Sequence, residues 1–117
     1  MKTIHWFLLA LLLTTSSASL AESPSGSVPV YIGEYGACNQ TGFEDYRRYY
    51  MEYVTKAAVD RGIVPVYWDN GAEGSGGEKF GLFNRSTYAP LHPQMLEAMQ
   101  RAAKSNYKLS DIALPKP

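Results

Sequence analysis

Apolar and polar positions along the chain fall into separate blocks. Trp6 to Leu13 is an unbroken apolar run behind a single lysine, Lys2. Val28 to Ile32 is short and β-rich, with Val30 and Ile32 on one side and Tyr31 on the other. From Phe43 onward the spacing changes to three and four. Phe43, Tyr46 or Arg47, Tyr50, Val54, Ala57, Ala58 and Arg61 make one stripe, which predicts a helix ending near Arg61. Thr41 and Glu44 have the spacing of a capping box, and Gly62 suits the position just past the helix end. Ile63 to Trp68 is β-branched and apolar without clean alternation, as in a strand buried in a parallel sheet. Leu91, Met95, Leu96, Met99, Ala102 and Ala103 mark a last helix, with Pro93 in its first turn.

The predicted order is β-α-β-loop-α. A right-handed crossover through the first helix makes the two strands parallel neighbours. Two strands expose both faces of a small sheet, and a parallel sheet needs a layer on each. The apolar strands are therefore patterned as if more sheet existed. The segment from Asp69 to Pro90 carries Gly71, Gly74, Gly76, Gly77 and Gly81. It is longer than the roughly 12–15 residues that compact connections use, a length typical of functional or mobile loops.

The first block changes what counts as folded chain. A lysine, an apolar core and Ser19-Leu20-Ala21 read as an export leader over residues 1–21. The apolar run falls short of the ~20 residues needed to span a bilayer. The mature chain would begin at Glu22, with a flexible arm over 22–27, a folded segment over 28–105 and a tail over 106–117. Of 117 residues, 96 remain after the 21 are removed, enough for one domain. Its location would be extracellular or periplasmic, with no membrane association in the mature form. Cys38 is the only cysteine, so an internal disulfide is excluded. No block of Lys or Arg occurs, and neither nucleic acid nor anionic lipid is implied as a partner.

Two short motifs carry the candidate chemistry. Gly33-Glu34-Tyr35-Gly36 follows the first strand and Tyr67-Trp68-Asp69-Asn70-Gly71 follows the second. Carboxyl ends of neighbouring parallel strands are where barrel and open α/β enzymes build their sites. A carboxylate there is costly unless it is paired, so Glu34 is either a reacting group or half of an ion pair with Arg48 or Arg61. Trp68 is either a core residue or a flat platform for a sugar ring. Asp69-Asn70-Gly71 suits a tight turn, and Asn70 could also meet a hydroxyl. Tyr31, Tyr35 and Tyr67 are not sorted between core and rim by sequence. With one histidine and one cysteine in the mature chain, no metal cluster is visible. Asn39-Gln40-Thr41 and Asn84-Arg85-Ser86 match the acceptor pattern for N-linked glycans in a eukaryotic secretory pathway.

On these residues the chain resembles glycoside hydrolase family 5, the cellulase family of retaining β-glycanases. Ile32-Gly33-Glu34-Tyr35-Gly36-Ala37 is similar to the segment holding that family's nucleophile, on the seventh strand of a (β/α)8 TIM barrel. Ile63 to Gly71 is similar to its eighth strand, whose tryptophan lines the subsite beside the cleaved bond. The resemblance runs from about Val28 to Ala103. It implies an α/β fold of two parallel βα units, the seventh and eighth of the barrel, and hydrolysis of internal β-1,4 bonds in cellulose or another β-glucan. Glu34 would be the nucleophile, with Trp68, Asn70 and Tyr35 binding substrate and no cofactor. The family's acid/base glutamate, in an Asn-Glu pair on the fourth strand, has no counterpart here. The expectation is an inactive isolated chain, from a truncated gene, a deletion product or one piece of a complementing pair. The alternatives are a secreted noncatalytic carbohydrate- or protein-binding chain, a mannanase-type β-glycanase segment, and self-association that completes a sheet or barrel.

Overall fold

The computed structural model describes residues 28–116, so the leader over 1–21 and the arm over 22–27 lie outside the described residues. Strand β1 (Val30–Tyr35) leads into helix α1 (Glu44–Val59), strand β2 (Ile63–Tyr67) and helix α2 (Pro93–Lys104). A short 3-10 turn, Leu109–Asp111, follows. The two strands pair in parallel as a two-stranded sheet, and both helices pack on one side of it. This is a partial TIM-barrel-like α/β fold of two parallel βα units, as the sequence reading expects.

β1 is displaced from its expected position. It extends through Gly33 and Glu34 to Tyr35 instead of stopping at Ile32. Val30, Tyr31 and Ile32 pair with Ile63, Val64 and Pro65, and then Tyr35 pairs with Tyr67. Two residues, Gly33 and Glu34, therefore stand opposite Val66 alone. Such a bulge reverses the alternation of side chains beyond it. Tyr35 would otherwise share the face of Tyr31; the bulge turns it to the helix side with Ile32.

There Tyr35 joins Met51, Leu82 and Met95 in the core, with Ile32, Ala37, Val54, Tyr67 and Leu96 around them. The Tyr35 hydroxyl donates to Thr55 Oγ1 at 2.7 Å, and Thr55 Oγ1 donates to the Met51 carbonyl at 2.6 Å. The Tyr35 and Tyr67 rings meet edge to face at 6.1 Å. Burial raises the pKa of both phenols, so each remains neutral.

The buried face of α1 differs from the expected stripe. Arg47, Met51, Glu52, Thr55, Lys56 and Ala58 are buried, while Phe43, Tyr46, Tyr50 and Tyr53 are exposed. Glu52, Thr55 and Lys56 are tolerated because each finds partners. Glu52 accepts from Arg101 Nη2 at 2.9 Å and from the Tyr107 hydroxyl at 3.0 Å, with Arg48 Nη1 at 3.5 Å. Lys56 pairs with Asp60 and lies 5.3 Å from the centre of the Tyr107 ring. Tyr107 thus ties the segment read as a tail to α1, and Ile112 beyond it is buried. The expected capping box does not form. Phe43 occupies the cap position without a side-chain bond, and the Glu44 carboxylate accepts from Gly42 N–H at 3.1 Å. Thr41 N–H instead donates to Ser75 Oγ at 2.9 Å, drawn away by the long loop.

α2 follows its expected bounds, with Pro93 in the first turn. Met95, Ala98 and Ala102 are buried, but Ala103 is not. β2 shows a clean alternation that its composition conceals. Ile63, Pro65 and Tyr67 are half-buried toward the helices, while Val64, Val66 and Trp68 are exposed. The expectation of burial on both faces fails because no described element covers the second face.

Candidate active site

The bulge in β1 gives Glu34 its position. Glu34 is exposed, and among the described residues it has no hydrogen-bond or ion-pair partner. The proposed ion pairs are not made. Arg48 is engaged by Asp45 and Glu52, and Arg61 Nη1 donates to the Ala57 carbonyl at 2.8 Å. A solvated carboxylate held on a two-strand ladder is available to react or to bind.

Trp68 continues β2 beside it. Its N–H donates to the Tyr35 carbonyl at 2.9 Å, extending the ladder one step past Glu34. Trp68 retains 42% exposure and shares its side of β2 with Val64 and Val66. The structure thus puts Glu34 and Trp68 at adjoining strand ends, both open to solvent. Tyr35 does not join them; its ring is in the core and its hydroxyl is engaged by Thr55.

Asn70 lies further out and serves the loop. Its Nδ2 donates to the Glu78 carbonyl at 2.8 Å, and its Oδ1 accepts from Ala72 N–H at 3.0 Å. Asp69 Oδ1 accepts from Gly71 N–H at 2.8 Å and pairs with Arg85 Nη2 at 3.3 Å. These are Asx turns of the kind the sequence suggests. Gly71 is required in its place. Its φ is +71°, and a Cβ there would lie 2.9 Å from Arg85 Nε.

The long loop is anchored through its middle, from Gly74 to Phe80. Asn39 Nδ2 donates to the Gly74 carbonyl at 2.6 Å, and its backbone bonds Gly76 and Lys79. Arg47 Nε donates to the Ala37 carbonyl at 2.8 Å and Nη2 to the Tyr67 hydroxyl at 2.9 Å. That hydroxyl in turn donates to the Phe80 carbonyl at 2.7 Å. Arg47 therefore ties the loop after Glu34 to the loop after Trp68. Sequence marks Arg47 as an alternative member of an apolar stripe and, with Arg48, as a structural helix residue, without naming its partners. An arginine in such a stripe is the one available signal, since its partners are backbone carbonyls and a phenol.

Among the described residues no cluster of His, Cys, Asp or Glu has the makings of a metal site. Between the strands and the helices an apolar cleft of about 510 Å³ is lined by Tyr35, Val59, Ile63, Pro65, Leu96 and Met99.

A family description, cellulase (glycosyl hydrolase family 5), matches residues 17–74, a span that begins within the leader reading. Endoglucanase B of Neocallimastix patriciarum is 39% identical over 84 residues, covering 72% of this chain and 18% of that enzyme. The chain thus spans about a fifth of the length of the curated relatives it matches. A Bacteroidetes-affiliated GH5 cellulase linked with a polysaccharide utilization locus superposes with a TM-score of 0.65 at 37% identity, over 73% of this chain and 26% of that one. A GH5 lichenase from Caldicellulosiruptor sp. F32 gives 0.63 at 39% identity, over 68% and 21%. Sequence and backbone agree on one relationship: the chain is a partial (β/α) barrel of the glycosyl hydrolase family 5 cellulases, two parallel βα units in extent.

Proposed function

We propose that this segment supplies the nucleophile and sugar platform of a retaining β-1,4-glucanase, as the seventh and eighth units of its barrel. The observation that carries the reading is Glu34: exposed, unpaired among the described residues and set on a bulge beside the open Trp68. In the first step the Glu34 carboxylate attacks the anomeric carbon while an acid protonates the departing glycosidic oxygen. Water then releases the sugar from the glycosyl-enzyme ester. Retaining chemistry needs that acid about 5–5.5 Å from the nucleophile. Asp69, the first carboxylate after β2, is committed to Arg85 and Gly71, so the acid comes from outside the described segment. The isolated chain is accordingly inactive.

The test is a transplant. Residues 28–104 replace the equivalent segment of the Neocallimastix endoglucanase, and turnover is measured on soluble mixed-linkage β-glucan. Turnover by the hybrid should fall by about 10³-fold or more in Glu34→Gln, through loss of the covalent step. A hybrid equally active with Gln at that position would overturn the assignment. The chain alone should show no turnover, and robust turnover by it would refute the missing-acid argument. Parallel assays on mannan separate a glucanase segment from a mannanase one.

A noncatalytic glycan-binding role is favoured by the exposure of Tyr31, at 68%, and of Trp68. Saturable glucan binding by the chain alone, with an inactive hybrid, would select it. The bare sheet face also supports completion by a complementing barrel segment or by a second copy. A discrete larger species on sizing would support assembly, and a folded monomer would refute self-association. We place the mature chain outside the cytoplasm, extracellular or periplasmic, on the strength of the leader pattern. An exported product whose mass begins at Glu22 is the expected finding, and a retained Trp6–Leu13 segment would contradict it.

A further inference from the structure

Away from Glu34 and Trp68, a cavity of about 260 Å³ lies between the first turns of α1 and α2. Arg47 lines it, and its charge is the anomaly. The side chain is buried, at 5% exposure, yet among the described residues no carboxylate pairs with it. Its Nε and Nη2 are used, but among the described residues Nη1 is buried without a partner, and so is Oδ1 of Asn39, another lining residue. A buried cation without a counter-charge is expensive, and native structures resolve it with a carboxylate or a bound ion.

The other wall is the start of α2, a helix of 12 residues. His92 occupies its cap position without a side-chain bond, and the first turn has no acidic residue. The positive end of the helix and its first amides therefore face the cavity uncompensated. Two acids line the rim, but both are engaged. Asp45 pairs with Arg48 at 3.5 Å, and Glu44 accepts from Gly42 N–H, its pKa lowered first by its own backbone N–H and then by that of Gly42. His92 has a pKa lowered first by burial and then by Arg47, with Glu44 opposing.

We propose that this cavity is a binding site for a small oxyanion, a phosphate or a carboxylate group, held by Arg47 Nη1 and the amino end of α2. Neither Glu34 nor Trp68 lines it.

The test uses the purified full chain, titrated with sodium phosphate and separately with sodium acetate at constant ionic strength in chloride. Saturable heat with one anion identifies its class, and the His92 pKa should rise as the bound charge offsets Arg47. His92→Asp places a carboxylate at the helix cap, where aspartate is favourable for folding. It should bind the oxyanion at least tenfold more weakly while remaining folded. Arg47→Gln should lose binding as well. No saturable binding of either anion, or unchanged affinity in His92→Asp, would overturn the site.

Discussion

The two faces of the β1–β2 sheet are built from similar residues and end in opposite states. Toward the helices, Ile32, Tyr35 and Tyr67 meet Met51, Leu82 and Met95, and both phenols have hydrogen-bond partners. On β2's other side, Val64, Val66 and Trp68 remain open, at 59%, 44% and 42% exposure. Adjacent exposed apolar residues of this kind mark surfaces that something else covers. The chemistry is divided in the same way. Glu52 and Lys56 are buried and structural, whereas Glu34 stands exposed at the strand end. The finished face positions the site; the unfinished region displays it.

The sharpest way to break this comparison is to damage the finished face. Met51 is fully buried between β1 and α2. In the transplanted barrel, Met51→Ala should cost about 2–5 kcal/mol from lost burial and the cavity left behind. A denaturant midpoint shift at constant slope measures this. A shift below about 0.5 kcal/mol, within the range of ordinary surface substitutions, would mean that this core is loosely packed.

A paired substitution then sets Trp68 against Tyr35. Trp68→Ala should weaken glucan binding by about tenfold, or roughly 1.4 kcal/mol, because it removes the sugar platform. Tyr35→Phe should leave that binding unchanged and cost about 1 kcal/mol of stability through the lost bond to Thr55. Equal effects on binding would place both rings in the substrate cleft and erase the distinction between the faces.

The fold was legible where periodicity and strong local signals agreed. Pro93 and the α2 spacing set that helix correctly, and the βαβ order gave the parallel pair. Glu34 and Trp68 were legible as strand-end residues. The bulge was not, because a one-residue irregularity depends on pairing with β2, and Gly33 alone signals it weakly. That bulge is why Tyr35 could not be assigned to core or rim. The face of α1 was misread because its buried positions are Arg47, Glu52, Thr55 and Lys56, whose partners lie as far away as Arg101 and Tyr107. Periodicity of apolar residues does not record a polar face satisfied from distant sequence.

The smallest expected effect concerns that polar face. Tyr107 donates to Glu52, and its pKa is pushed up to about 12, first by burial and then by the bond to Glu52. The folded state therefore retains the phenol proton more strongly than the unfolded chain does. This contribution is fully present below pH 10, the ordinary tyrosine range, and is lost as pH rises toward 12. Stability measured across that window should fall in the parent protein, with Tyr107→Phe removing this part of the fall. Glu52 would still accept from Arg101, so the substitution should be mild near neutral pH. Matching pH profiles for parent and variant would show that Tyr107 does not close the tail onto α1, and the polar face would then end at the Glu52–Arg101 pair.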